Sequence, residues 1–262
     1  MHNENDWLAD LPKNELKSVV IIPARFASSR YPGKPLVKLL GKPMILWVAE
    51  LSAEAVGLEN VYVATDSDEI KIVVENSGFN VAMTGPALTG TDRIAEAAEK
   101  IQADIYVNVQ GDEPLVNPED ILKIISVKKQ NMNKVINGYR AISDEENPHS
   151  VNIPKVLINE RDKLIYMSRN TLPGCKEFKR TPSEYKKQVC IYAFTKDELT
   201  SFRSFGRKSI IESFEDIEIL RFFELDKEIL MVETEGVSLA VDSPADIEPV
   251  EKALKEQNKE PW

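Results

Sequence analysis

Along the first half of the chain, short β-branched apolar runs alternate with stretches whose apolar residues recur at helical spacing. Residues 18–22 hold four apolar side chains in a row, Val19 to Ile22, as a strand buried on both faces does. Residues 43–55 follow with Ile45, Val48, Ala49 and Ala53 on one helical stripe. The alternation continues. Strands are predicted at 61–64, 81–83 and 105–110. Helices are predicted at 68–77, capped by Asp66 or Ser67, at 91–102, and at 118–128, capped by Asn117.

The second half is less regular. Residues 135–141, 155–158, 165–168 and 188–194 predict strands, and 169–187, rich in Pro, Gly and charge, predicts a loop. A helical block is expected over 211–223 and a late strand over 238–241. A closing helix is expected over 243–257, with Ser243 as N-cap and Pro244 in its first turn. This order predicts an α/β fold with a doubly wound, mostly parallel sheet and an antiparallel extension. The expected organisation is a tail over 1–17, one domain over 18–254 with the extension at 135–225, and a second tail over 255–262.

Composition narrows the classes. With 42% hydrophobic and 29% charged residues the chain suits a folded globular protein. A net charge of −10 argues against nonspecific nucleic-acid binding, though not against a nucleotide substrate, which needs only a few local cations. No apolar run approaches the ~20 residues of a membrane span. The acidic N-terminal stretch lacks the basic start and apolar core of a secretory signal, so a cytoplasmic protein is expected. Two cysteines, Cys175 and Cys190, with only His2 and His149 beside them, give neither a disulfide framework nor a zinc site.

Four polar clusters fall just past four predicted strands. The first, Pro23 to Leu36, offers Arg25, Arg30 and Lys34 as cations, Ser28 and Ser29 as hydroxyl donors, and Gly33 for close backbone approach. A solvated basic loop would explain it equally well if it stood alone. The second places Asp112 after Gly111 in a turn. A carboxylate there could hold Mg²⁺, which takes oxygen ligands and shares them with phosphates. The third is Asp242 before Ser243-Pro244, which helix capping alone could also explain. The fourth is the Asp66-x-Asp68 pair, also readable as turn and cap. In a parallel sheet these strand ends share one edge of the molecule. One cationic and three acidic clusters on that edge point to a metal-assisted phosphoryl-type reaction.

Taken together, these segments resemble the 3-deoxy-manno-octulosonate (KDO) cytidylyltransferases, the CMP-KDO synthetase family. The matching stretches are Ile22-Pro-Ala-Arg-Phe-Ala-Ser-Ser-Arg-Tyr-Pro-Gly-Lys-Pro-Leu36, Gly41-Lys-Pro-Met44, Val63-Ala-Thr-Asp66, Gly90-Thr-Asp-Arg93, Val107-Asn-Val-Gln-Gly-Asp-Glu-Pro114, Tyr166-Met-Ser-Arg169, Ile191-Tyr192 and Val241-Asp-Ser-Pro244.

The resemblance implies a nucleotide-diphospho-sugar transferase-like fold whose extension serves sugar binding and dimerisation. It also implies a homodimer, and CTP and a 2-keto-3-deoxy sugar acid as substrates with Mg²⁺. The product would be a CMP-activated sugar for lipopolysaccharide or other surface polysaccharide. Arg25, Lys34, Asp112 and Asp242 would carry catalysis, the two aspartates holding the metal. Ala24, Ser29, Arg30, Thr65, Asp66, Gly90, Thr91, Arg93 and Gln110 would join Arg25 and Lys34 around the nucleotide. Gln110, Arg169, Gln188, Tyr192, Glu215 and Glu218 would face the sugar acid.

Two departures fall on the sugar side. Gln188 stands where the family commonly has a histidine, and Ile219 where it often has glutamine. They suggest a modified acceptor, such as an amino-substituted KDO. A metal-dependent glycosyltransferase using Asp66-x-Asp68, or a non-catalytic nucleotide- or sugar-binding module, are the competing readings.

Overall fold

The structure is a computed structural model that describes residues 16–27, 31–177, 182–236 and 239–257. Its strands are β1 (Ser18–Ala24), β2 (Lys38–Leu39), β3 (Lys42–Pro43), β4 (Val61–Thr65), β5 (Asn80–Met83), β6 (Ile105–Val109), β7 (Val135–Ala141), β8 (Lys155–Ile158), β9 (Leu164–Ser168), β10 (Lys186–Phe194) and β11 (Ile229–Glu233). Its helices are α1 (Met44–Val56), α2 (Asp68–Asn76), α3 (Gly90–Lys100), α4 (Pro118–Gln130), α5 (Lys196–Ser204), α6 (Ile210–Glu215), α7 (Arg221–Glu224) and α8 (Ile247–Glu256).

The main sheet runs β11-β7-β10-β6-β1-β4-β5. Pairing is parallel throughout except on both sides of β10. The predicted extension is therefore largely a continuation of the same sheet. Only β8 and β9 leave it, as an antiparallel hairpin attached to β10. The register pairs Ala24 with Thr65 and Thr65 with Met83, so β1, β4 and β5 end level with one another.

The apolar run of β1 splits by the two-residue strand period. Val19 and Ile21 enter one core with Ile94 and Ala98 of α3 and Phe202 of α5. Val20, Ile22 and Ala24 enter the other with Ile45 of α1 and Ile121 of α4. Helices thus cover both faces. A third cluster, with Trp47, Leu115, Val241 and Leu254, seats α8.

Helix starts follow local capping chemistry. The side chains of Ser67, Thr89 and Asn117 accept backbone N–H groups at the starts of α2, α3 and α4. Thr195 with Glu198, and Ser209 with Glu212, form capping boxes on α5 and α6.

Three expectations need correction. The block at 211–223 is not one helix: α6 stops at Glu215, Asp216 is left-handed at φ 49° and ψ 47°, and Ile217 is extended. The cause is tertiary. Arg169 donates through Nε to the carbonyl of Glu215 (2.6 Å) and through NH2 to that of Asp216 (3.0 Å), taking acceptors a longer helix would use. Residues 239–241 form no strand; Val241 is instead buried in the third cluster. Ser238 lies outside the described residues. The expected loop 169–187 ends early, because β10 already begins at Lys186. Four elements lie outside the expected set: α5, with its Thr195-x-x-Glu198 signature, β11, with its Ile-Leu-Met-Val run, and the two-residue strands β2 and β3.

Candidate functional site

A cleft of about 630 Å³ opens on the edge where β1 and β6 end. Ala24 and Arg25 enter it directly from β1. The chain returns through Gly33, left-handed at φ 70°, whose N–H donates to the carbonyl of Phe26 at 2.9 Å. That turn delivers Lys34 into the cleft. Its Nζ lies 2.6 Å from Oδ2 of Asp112 and 3.5 Å from Oδ1 of Asp242.

Asp112 is set by the turn after β6, where the N–H of Glu113 donates to the carbonyl of Gln110. Gly111 is required there: a Cβ would lie 3.0 Å from the carbonyl oxygen of Pro23 and 3.3 Å from Ile45. Asp242 arrives without a strand. Its segment is fixed by Asp246, whose Oδ2 accepts from the backbone N–H groups of Asp242 (3.0 Å) and Ser243 (2.7 Å). Ser243 is the N-cap, as expected, in a capping box with Asp246, and the carboxylate of Asp242 faces Lys34.

Across the cleft, Glu218 joins two walls. Its Oε2 accepts from the N–H of Thr91 in the first turn of α3 (2.7 Å), and its Oε1 from Nε2 of Gln110 (3.2 Å). Gly90 makes this closeness possible, since a Cβ there would lie 3.3 Å from Glu218 and 3.4 Å from Gln110. Beneath, the fully buried guanidinium of Arg221 bonds both oxygens of Asp92 in α3 and both of Glu212 in α6. Arg93 lines the cleft but is held below it by Asp66 (2.8 Å) and Thr84 (2.5 Å).

The remaining wall is built on Arg169. Three of its donors are committed, to the carbonyls of Glu215, Asp216 and Val151. The carboxylate of Glu215 accepts from Ser168 Oγ (2.7 Å), Tyr166 Oη (3.1 Å) and the N–H of Arg169 (2.8 Å). Burial raises its pKa, but these bonds and the nearby guanidinium outweigh it and hold the group below the usual carboxylate value. Lys208 and Asp216, neither of them singled out by the sequence, also line the cleft and pair at 3.0 Å.

Of the residues expected from the sequence, the cleft gathers Ala24, Arg25, Lys34, Gly90, Arg93, Gln110, Asp112, Arg169, Glu218 and Asp242. Ser29 and Arg30, with Ser28, lie outside the described residues. Thr65, Asp66 and Thr91 stand behind the wall. Thr65 is fully buried and accepts from the N–H of Ser67. Glu215 acts through Arg169 rather than lining the space. Gln188 and Tyr192 are buried together on β10, with Nε2 of Gln188 donating to Tyr192 Oη (3.0 Å) and to Oδ1 of Asn137 (3.2 Å). Burial pushes the Tyr192 phenol well above its ordinary value, and likewise the Cys190 thiol. Asp66 is ion-paired and Asp68 opens α2, so the Asp-x-Asp pair does not converge on the cleft. Asp216 carried no local signal, because 211–223 reads as uninterrupted helix, and Lys208, just before that block, stood in no recognisable motif.

Asp112 and Asp242 could hold a metal ion between them; no cluster of three or more His, Cys, Asp or Glu occurs among the described residues. The Lys34 ammonium already lies within reach of both carboxylates, so the pair shares one cation-accepting point. Oxygen-only donors, two in number, fit Mg²⁺, which completes its shell with phosphate and water.

Comparison with known proteins agrees with this geometry. The sequence matches the cytidylyltransferase family over residues 19–229. It is 40% identical to 3-deoxy-manno-octulosonate cytidylyltransferase 2 of Hydrogenovibrio crunogenus, over 91% of this chain and 98% of that protein. It is 36% identical to 8-amino-3,8-dideoxy-manno-octulosonate cytidylyltransferase of Shewanella baltica, over 90% and 97%. Among solved structures it resembles CMP:2-keto-3-deoxy-manno-octonic acid synthetase complexed with CTP. The TM-score is 0.84 and the identity 35%, over 92% of this chain and 99% of that one. With a CTP-bound structure matching its fold and relatives matching nearly its whole length, this chain belongs to the cytidylyltransferase family, among the 3-deoxy-manno-octulosonate cytidylyltransferases.

Proposed function

We propose that the cleft transfers CMP from CTP to the anomeric hydroxyl of a 3-deoxy-2-keto sugar acid, KDO or its 8-amino derivative. The observation that carries the reading is Lys34 set between Asp112 and Asp242, beside Arg25, on the edge where the parallel strands end. The names of the relatives supply the acceptor class.

In the reaction, the anomeric oxygen forms a bond to the α-phosphorus of CTP. The bond from that phosphorus to the α–β bridging oxygen breaks, pyrophosphate leaves with the electron pair, and the hydroxyl proton is released. No covalent enzyme intermediate is needed. Arg25 and Lys34 meet the triphosphate, whose charge draws the Lys34 ammonium from its aspartate partners onto phosphate oxygens. Asp112 and Asp242 are the residues that would hold Mg²⁺, which would supply charge neutralisation at the phosphates. Gly90 and the start of α3 border the nucleoside. Gln110, tethered to that same start through Glu218, sets where the acceptor hydroxyl stands. Most of the chain's contribution is thus positioning and charge.

The reading also carries a cytoplasmic location and a homodimer, and a product used in surface polysaccharide. No helix among the described residues is long and apolar enough to cross a membrane.

The test is pyrophosphate release from CTP and Mg²⁺ with KDO, 8-amino-KDO and N-acetylneuraminate as separate acceptors. Release with either octulosonate, abolished by EDTA and restored by Mg²⁺, is expected. Binding of CTP with no release from any acceptor would overturn the reading in favour of a binding module.

A further inference from the structure

The cleft has a reacting end and a remote end. The reacting end is marked by Lys34, Asp112 and Asp242. From there the wall passes through Gln110, two residues before Asp112, to Glu218, which Gln110 touches. It then reaches Asp216, two residues further, and Lys208, which Asp216 pairs with. A sugar acid that presents its anomeric hydroxyl at the reacting end holds its carboxylate there too, because C1 adjoins the anomeric carbon. In that pose its exocyclic tail would extend along this wall towards Asp216 and Lys208, which line the cleft.

The donors and acceptors on that side are unequally committed. Arg169 has three donors on backbone carbonyls. Glu218 is bonded to Thr91 and Gln110. The Asp216 side chain is 71% exposed and the Lys208 side chain 37%. Asp216 also has a fixed backbone, left-handed, with its carbonyl clamped by Arg169. A hydroxyl-tipped tail leaves the Lys208–Asp216 pair as it is. An ammonium-tipped tail offers Asp216 a second cation and a charge-assisted hydrogen bond, which a carboxylate with several lone-pair sites can accept.

We propose that Asp216, held in place by Arg169 and paired with Lys208, is a specificity-determining residue that reads the acceptor's exocyclic tail and favours an ammonium end over a hydroxyl end. This rests on the cytidylyl-transfer reading above. It is distinct from the departures at Gln188 and Ile219, which are buried and do not line the cleft.

The experiment measures kcat and KM for KDO and 8-amino-KDO with the wild type, Asp216→Asn and Lys208→Ala, each checked by circular dichroism. Asparagine tolerates the left-handed backbone, so Asp216→Asn removes the charge and keeps the turn. The ratio of kcat/KM for the amino acid over the plain acid should fall roughly fivefold in Asp216→Asn, through KM, as for a partly exposed ion pair. It should rise in Lys208→Ala, which removes the competing cation. A ratio unmoved by Asp216→Asn, or a wild type that uses KDO alone, overturns the assignment. A wild type that releases no pyrophosphate with either acid instead brings down the transfer reading on which the assignment rests.

Discussion

The backbone N–H of Val241 donates to the carbonyl of Asp112 at 3.1 Å. One hydrogen bond joins segments far apart in sequence and sets Asp242 beside Asp112 without help from a strand. The buried Val241 side chain, packed with Leu115 and Leu254, holds the same junction from beneath. The backbones that carry the two carboxylates are therefore tied to each other and to the core beneath them.

Lys34 should be indispensable to turnover and dispensable to folding. Lys34→Ala removes the cation that both aspartates face, and kcat should fall by about 10²–10³-fold, as for loss of one preorganised charge-stabilising donor. Steady-state kinetics with circular dichroism as the folding control checks this. Near-normal kcat would remove Lys34 from the catalytic group.

Glu218 ties the start of α3 to Gln110, so on the proposed reading its loss should be felt by both substrates. Glu218→Gln weakens the charge-assisted bond to the N–H of Thr91 and disturbs Gln110. KM for CTP and for the sugar acid should both rise. A change confined to the acceptor would mean that Glu218 contacts sugar only.

Arg221 is fully buried between Asp92 and Glu212. Arg221→Met leaves two buried carboxylates without their cation and should cost about 3–5 kcal/mol in urea unfolding. Arg221→Lys should recover only part, because an ammonium cannot present the planar fork that serves both partners. Full recovery by lysine would show that charge alone matters.

Glu215 predicts an acid-sensitive contribution. Its folded pKa lies below the ordinary 4.5: burial opposes ionisation, but Ser168, the Arg169 amide, Tyr166 and the Arg169 charge together favour it. The stabilisation is present in full above the ordinary value and is lost as pH falls through the lower folded value. Urea midpoints of wild type and Glu215→Gln should differ most near neutrality and converge as pH falls below the ordinary carboxylate value. A gap that stays constant with pH would assign the effect to packing instead.

Gly111 should resist substitution for a local reason. A Cβ there meets the backbone carbonyl of Pro23 at 3.0 Å, and backbone cannot swing aside as a side chain can. Gly111→Ala should destabilise by about 1–3 kcal/mol, measured by denaturant unfolding, and displace Asp112 enough to lower activity. An alanine variant of unchanged stability and activity would show that the turn relaxes freely.

The sequence by itself determined much of this protein. The apolar run of β1, the helical stripe of α1 and the caps Ser67 and Asn117 are local signals, and each became the element expected. Arg25, Lys34 and Asp112 were legible because each follows a strand, and parallel strands bring their ends to one edge. What tertiary structure alone decided has a common cause. The break after Glu215 arises because Arg169 captures carbonyls that no residue nearby in sequence would have claimed. Asp242 reaches the site through Asp112 and Val241, not through the expected strand. Arg93 at the cleft wall is paired with Asp66 behind it, and Gln188 turns inward to Tyr192. Asp216 enters the cleft where that helix breaks, and there it meets Lys208 from the segment before α6. Local propensity records what a segment prefers for its own backbone. Which donor finds which acceptor across the sheet edge is settled only when distant segments pack.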